Sequence, residues 1–246
     1  MIIDSHTHID EAPAYGWFDP PEAIIRLMDE AGIERSVAMT YRDAPGPEER
    51  VIEYVAEAVQ RYPDRLIGYA RMNPRYGDEA VELFDRAIRD YGMRGLKLHP
   101  VTYVMHPASE PTLALVRHAA SLGVPTLFHC GDEDFTLPLQ IAEAAGAVPD
   151  ARIILGHMGG YVHVRDAIRV ARRYPNIILE TSAMPYPRLI REAVDAIGAE
   201  RVLFASDGPG CDPLLETEKV RRAGLTPEQE EMLFHTNIER LLGDVV

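Results

Sequence analysis

A regular rhythm of short apolar runs constrains this chain more than any other feature. Eight runs rich in Val, Ile and Leu recur at intervals of about 25–34 residues: Ile2–His6, Ser36–Thr40, Leu66–Arg71, Gly95–His99, Thr126–His129, Arg152–His157, Ile177–Glu180 and Val202–Ser206. Each has the length and β-branched content of a buried strand. Between most of them lie stretches with helical apolar spacing, namely Pro21–Ala31, Glu48–Arg61, Asp78–Tyr91, Pro111–Leu122 and His163–Arg173. Less regular helical stretches surround Thr136–Ala145 and Pro187–Ile197. Proline opens several of them and Gly32 follows the first, as expected when proline suits the first helical turn and glycine the exit. A last helix begins with Thr226 as N-cap and Pro227 in its first position. Strand and helix in alternation read as parallel βαβ units. An open doubly wound sheet would place a glycine-rich phosphate loop after its first strand, and that place holds His6-Thr7-His8. The expected fold is an α/β single-domain (β/α)8 TIM barrel over residues 1–246, with some distortion.

Composition bounds the partners. A chain of 246 residues with 46% hydrophobic content can fill one such barrel. No apolar run reaches the ~18 residues of a membrane span, and the N-terminus lacks the basic and apolar regions of a signal peptide. Cys130 and Cys211 are too few for a disulfide framework. These features predict a cytoplasmic protein without a membrane partner. The net charge of −14 repels phosphate backbones and argues against nucleic-acid binding. A small molecule is the expected partner, and the amphipathic outer helices leave a homodimer open.

In a barrel of this type the chemistry sits at the C-terminal strand ends. His6 and His8 lie one position apart, so in a strand they face the same way and their nitrogens converge on one ion. Arg71 ends the third run, Lys97 and His99 lie in the fourth, His129 ends the fifth, His157 ends the sixth, and Asp207 follows the eighth. A lone histidine at a strand end is commonly a hydrogen-bonded structural residue. Histidines from several runs and an aspartate at one edge of one barrel make a site. Lys97 shares an inward face with Gly95 and His99, which is costly for a charge unless it is paired or binds an anion. Arg71 can fork onto a substrate carboxylate or brace the barrel mouth. Trp17 follows the first run and either walls the pocket or packs its loop. Arg71, Lys97, His99 and Trp17 are the candidate substrate contacts.

The segments Ile3-Asp-Ser-His-Thr-His8, Gly95-Leu-Lys-Leu-His-Pro100, Phe128-His-Cys130, Gly156-His-Met-Gly-Gly160 and Ala205-Ser-Asp207 resemble the amidohydrolase superfamily. They are most similar to its branch of aminocarboxymuconate-semialdehyde and resorcylate-type decarboxylases, and Asn237-Ile-Glu-Arg-Leu-Leu242 resembles the closing helix of that branch. The resemblance implies that His6, His8, His129 and Asp207 hold one divalent metal, zinc first and manganese as the alternative. It implies that His157 acts as general acid or base and that Asp207 shuttles a proton. It also implies an unmodified Lys97, a carboxylated lysine bridging two ions being the minority pattern. Superfamily breadth favours a metal-dependent hydrolase acting on a small anionic ester, lactone or amide through an activated water. Decarboxylation of a small aromatic or unsaturated acid is the alternative, and a metal-independent lactonase a further one. A non-catalytic binding barrel and a metal-dependent nuclease are more distant rivals.

Overall fold

The computed structural model describes residues 1–45 and 50–243. Its first strand, β1 (Ile3–His8), is followed by a small antiparallel hairpin, β2 (Asp10–Ala12) and β3 (Trp17–Asp19). The remaining strands are β4 (Arg35–Met39), β5 (Leu66–Gly68), β6 (Ala70–Arg71), β7 (Leu96–Leu98), β8 (Thr126–Phe128), β9 (Ile153–Leu155), β10 (Ile177–Glu180) and β11 (Val202–Leu203). Hydrogen bonding gives the parallel orders β1-β4-β5 and β6-β7-β8-β9-β10-β11. β5 and β6 are the two halves of one stave broken at Tyr69: the first half pairs with β4 and the second with β7. Tyr69 N donates to Ala38 O (3.0 Å) and Ala70 N to Gly95 O (2.9 Å), which carries the ladder across the break. The opposite seam is joined by Ser5 N to Phe204 O (3.2 Å), Asp207 N to His6 O (2.8 Å) and His8 N to Gly208 O (2.7 Å). Eight parallel staves among the described residues thus form the expected barrel. Its distortion lies at Tyr69 and in a register shift within β1 between Asp4 and Thr7.

Around the ring run α1 (Pro21–Ala31), α2 (Arg50–Arg61), α3 (Asp78–Arg89), α4 (Pro100–Tyr103), α5 (Glu110–Ser121), α6 (Pro138–Ala147), α7 (Val164–Arg173), α8 (Pro187–Ile197), α9 (Pro213–Arg221), α10 (Pro227–Glu231) and α11 (Asn237–Leu242). Gly32 closes α1 at φ 69°, a left-handed turn that glycine makes at little cost. Thr226 and Gln229 form the capping box of α10. The hairpin, α4 and α9 are additions to the predicted elements. Glu48 and Glu49 of the second predicted helix lie outside the described residues. No helix among the described residues is long and apolar enough to cross a membrane.

Strand alternation sorts the core into two shells. Ile3, Val37, Ile67, Tyr69, Leu127, Ile154 and Leu203 pack inside the barrel, with Ile238 and Leu241 of α11 against them. Leu96, Leu98, Phe128, Ile153, Leu155, Ile177 and Leu179 belong to the shell shared with the helices. Burial on both faces is why these strands read as nearly unbroken apolar runs. α11 is tied down by Asn237 Nδ2, which donates to Ala199 O (2.7 Å) and Val202 O (2.8 Å). Gly95 is dictated by packing: a Cβ there would lie 2.4 Å from Tyr69 Cζ.

Candidate active site

The seam between the first and last staves builds the centre of the site. His6 Nε2 lies 3.2 Å from His8 Nε2 and 3.4 Å from Asp207 Oδ1, and His8 Nε2 lies 3.2 Å from the same oxygen. Donors bound at ~2.1 Å to a common ion stand about 3 Å apart, so two imidazoles and a carboxylate here have the spacing and chemistry of an ion site. The three ligand atoms lie within 4.8 Å of one another. Asp207 takes φ 61°, a conformation uncommon outside glycine and often found at functional positions. Buried Asp4 holds the seam together: its Oδ1 accepts from His6 N (3.1 Å) and Ser206 N (2.9 Å).

Charge follows burial. Burial, reinforced by Lys97, pushes His6 down to about 3, and burial likewise lowers His8. Both rings are therefore neutral at pH 7, the form that ligates metals. Burial works to raise Asp207, but His6 and His8 outweigh it and hold the carboxylate ionised. Lys97 is buried with its Nζ 2.8 Å from His6 Nε2, so the partner that its inward position demanded is a histidine. Burial first, then Arg71, lowers its pKa to about 7. Arg71 Nε donates to Asp43 Oδ1 (2.7 Å), while its Nη groups make no hydrogen bond among the described residues. A brace and a free fork thus coexist on one guanidinium.

The remaining expected residues form a second group. His157 Nδ1 lies 2.8 Å from Ser182 Oγ, and its Nε2 lies 3.0 Å from His129 Nδ1. His129 is the expected metal ligand that the geometry does not gather with the trio. Its Nδ1 faces His157, its Nε2 lies 3.4 Å from Glu133 Oε2, and its ring stacks on His99 at 4.0 Å. Burial lowers His129 to about 4 and also depresses His99, whose Nδ1 is buried with no hydrogen-bond partner among the described residues. His157 (φ 60°) and Met158 (φ 49°) both hold left-handed backbone. Trp17 is 37% exposed and stacks on Tyr41 at 4.8 Å, and Tyr41 stacks on His8 at 4.3 Å. The tryptophan both packs its hairpin and extends an aromatic wall beside the trio.

Residues 3–243 match the model of the amidohydrolase family. The chain belongs to the amidohydrolase family. A gamma-resorcylate decarboxylase of Polaromonas sp. (strain JS666 / ATCC BAA-500) is 24% identical over 246 residues, covering 75% of this amidohydrolase and 76% of the relative. Among solved structures, an uncharacterised TIM-barrel protein from Bordetella bronchiseptica has a TM-score of 0.81 at 24% identity and covers 99% of both chains. A dihydroxybenzoic acid decarboxylase from Polaromonas sp. JS666, with bound manganese and the inhibitor 2-nitroresorcinol, has a TM-score of 0.77 at 18% identity, covering 98% of this chain and 96% of the other. These matches correct the expectation of hydrolysis, because the named enzymes among them are decarboxylases of aromatic acids. The expectation failed for a chemical reason: ion ligands and proton carriers of the same types serve both reactions. The trio supports one divalent ion, and it is manganese that a structural neighbour holds.

Glu180, Ser182, Tyr41 and Asp43 are among the site residues given no role from sequence. Glu180 carried a readable signal, since a charged residue ending a barrel strand on the active-site edge is the criterion that found Arg71. The others act through contacts that no spacing reveals.

Proposed function

We propose that this amidohydrolase is a non-oxidative, metal-dependent decarboxylase of a small aromatic carboxylic acid. The observation that carries the reading is the His6–His8–Asp207 donor trio with two cations, Lys97 and Arg71, at the same barrel edge. Decarboxylase relatives covering three-quarters of the chain support the choice of reaction. His6, His8 and Asp207 would hold the ion, which supplies positive charge for the oxygens of an anionic substrate. Arg71 presents its Nη donors to the substrate carboxylate or a ring hydroxyl, while Asp43 fixes the guanidinium through Nε. Lys97, when protonated, adds positive charge from inside the barrel. In the reaction the bond from ring carbon to carboxylate breaks, its electron pair stays on the ring carbon, and a proton forms the new C–H bond as CO2 leaves. We assign proton delivery to His157 and to Asp207, the latter ionised in the free site and so first taking up the proton that it passes on. Asp207 is 24% exposed and so reachable from solvent, and the His157 ring centroid stands 5.3 Å from that of His6.

The test is CO2 release from 2,6-dihydroxybenzoate, 5-carboxyvanillate and related hydroxybenzoates. Product would be identified by chromatography, after dialysis against a chelator and reloading with manganese or zinc separately. Turnover that returns with one ion, and falls about 100-fold or more in Asp207→Asn and His157→Asn, supports the reading. Hydrolysis of esters or lactones without CO2 release from any aromatic acid would refute it. The ion that restores more turnover decides between manganese and zinc.

A further inference from the structure

The end of β10 holds a carboxylate that the proposed reaction does not use. Glu180 is fully buried, and its two oxygens face four donors. Oε1 accepts from His157 N (2.8 Å) and Ser182 Oγ (3.0 Å) and lies 3.0 Å from His6 Nδ1, while Oε2 accepts from Ser182 N (2.7 Å). Backbone N–H groups can only donate, so both oxygens act as acceptors, and two such groups with a hydroxyl donor stabilise the carboxylate over the acid. An ionised carboxylate inside a barrel is retained only when it is this fully satisfied. With Oε1 an acceptor, the hydrogen between it and His6 must sit on Nδ1. The lone pair of His6 is then on Nε2, the atom that faces His8 and Asp207. Lys97, itself a donor, lies 2.8 Å from that same Nε2 and so agrees with the assignment.

We propose that Glu180 is a positioning residue: it fixes the tautomer and ring orientation of His6, and through the His157 backbone and Ser182 it also fixes His157. One buried carboxylate then aligns an ion ligand and a proton carrier that lie far apart in sequence. The His157 arm matters because that residue holds a left-handed backbone, which needs an external tie to persist. Glu180 also forms a potential ligand group with His6 and His157, their donor atoms lying within 4.8 Å of one another. Direct ligation there is the weaker reading. Oε1, the oxygen nearest His6, already accepts from a backbone N–H and a hydroxyl, and His6 would have to lose both ring protons to serve two ions.

The proposal rests on the reading of the trio as an ion site, and the experiment separates the two. The ring nitrogens of His6 would be assigned by 15N NMR in metal-free wild-type protein. Zinc affinity would then be measured for wild type, Glu180→Gln, Glu180→Asp and Ser182→Ala by competition with a chromophoric chelator, with circular dichroism as the check on folding. The expected results are His6 protonated on Nδ1 and an affinity about 10-fold or more lower in Glu180→Gln. Glu180→Asp, which keeps the charge, should lie nearer wild type than Glu180→Gln. His6 protonated on Nε2 in wild type would overturn the proposal even if no variant folds. So would a folded Glu180→Gln with unchanged affinity. Wild type that binds no ion would refute the ion site itself, and the His6 tautomer would still decide the role of Glu180.

Discussion

Gly95→Ala adds one methyl group and should be among the most damaging small changes in the chain. The new Cβ would lie 2.4, 2.5 and 2.6 Å from three ring carbons of Tyr69, against an optimum of ~3.5–4.0 Å between carbons. The ring must therefore retreat by about 1 Å or more, yet Tyr69 is fully buried and packed among Ile3, Val37, Ile67 and Leu127 inside the barrel. Overpacking a tight core costs typically ~1–3 kcal/mol. A rigid ring wedged against backbone puts this case near ~3 kcal/mol, or a fall in Tm of roughly 6–12 °C for a chain of this size. Reversible urea unfolding followed by circular dichroism gives the difference directly. The decisive form is a double-mutant cycle with Tyr69→Leu, which removes the ring. In that background Gly95→Ala should cost less than about 0.5 kcal/mol, giving a coupling of ~2 kcal/mol or more. A Gly95→Ala variant as stable as wild type, or one equally costly in both backgrounds, would refute the steric account.

Tyr69→Phe should stabilise the protein by about 1 kcal/mol in the same assay, because the buried hydroxyl has no hydrogen-bond partner among the described residues. A destabilised variant would mean that the hydroxyl is satisfied after all. Asn237→Ala removes two buried hydrogen bonds and takes the side-chain donor from Val202 O, while Ala199 O keeps its bond from Val202 N. It should cost ~2–4 kcal/mol, and a loss under about 0.5 kcal/mol would show that α11 is held by its apolar contacts alone. Burial pushes the Cys130 thiol well up, and burial with the charge of Asp207 raises Cys211 to about 11. Both are protonated at pH 8, so native protein should react with a thiol reagent far more slowly than the urea-unfolded chain. Cys211 should gain about tenfold in rate per pH unit up to pH 11, as the thiolate fraction rises. A rapid equivalent at pH 8 would contradict this.

Much of the architecture was present in local pattern. Alternation of apolar runs with proline-opened helices is a local property, and it placed the strands, most helices and the fold class. The same alternation set Gly95 and Lys97 on an inward face, and Tyr69 accounts for the glycine. His6, His8 and Asp207 were legible as site residues because residues at strand ends of one parallel barrel must share an edge. Their meeting at 3.2–3.4 Å was decided by the seam, where Asp4 and the left-handed Asp207 join the first stave to the last. His129 shows the limit of such reading. Strand order carried it to the correct edge, but rotamer and neighbours turned its nitrogens to His157 and Glu133. Glu180 shows the converse, since its role depends on bonds to residues 174 and 23 positions away in sequence. Which residues can reach the barrel mouth is set by chain periodicity, a local consequence of backbone geometry. Which atoms face one another is settled only when the barrel closes and brings side chains from distant staves together.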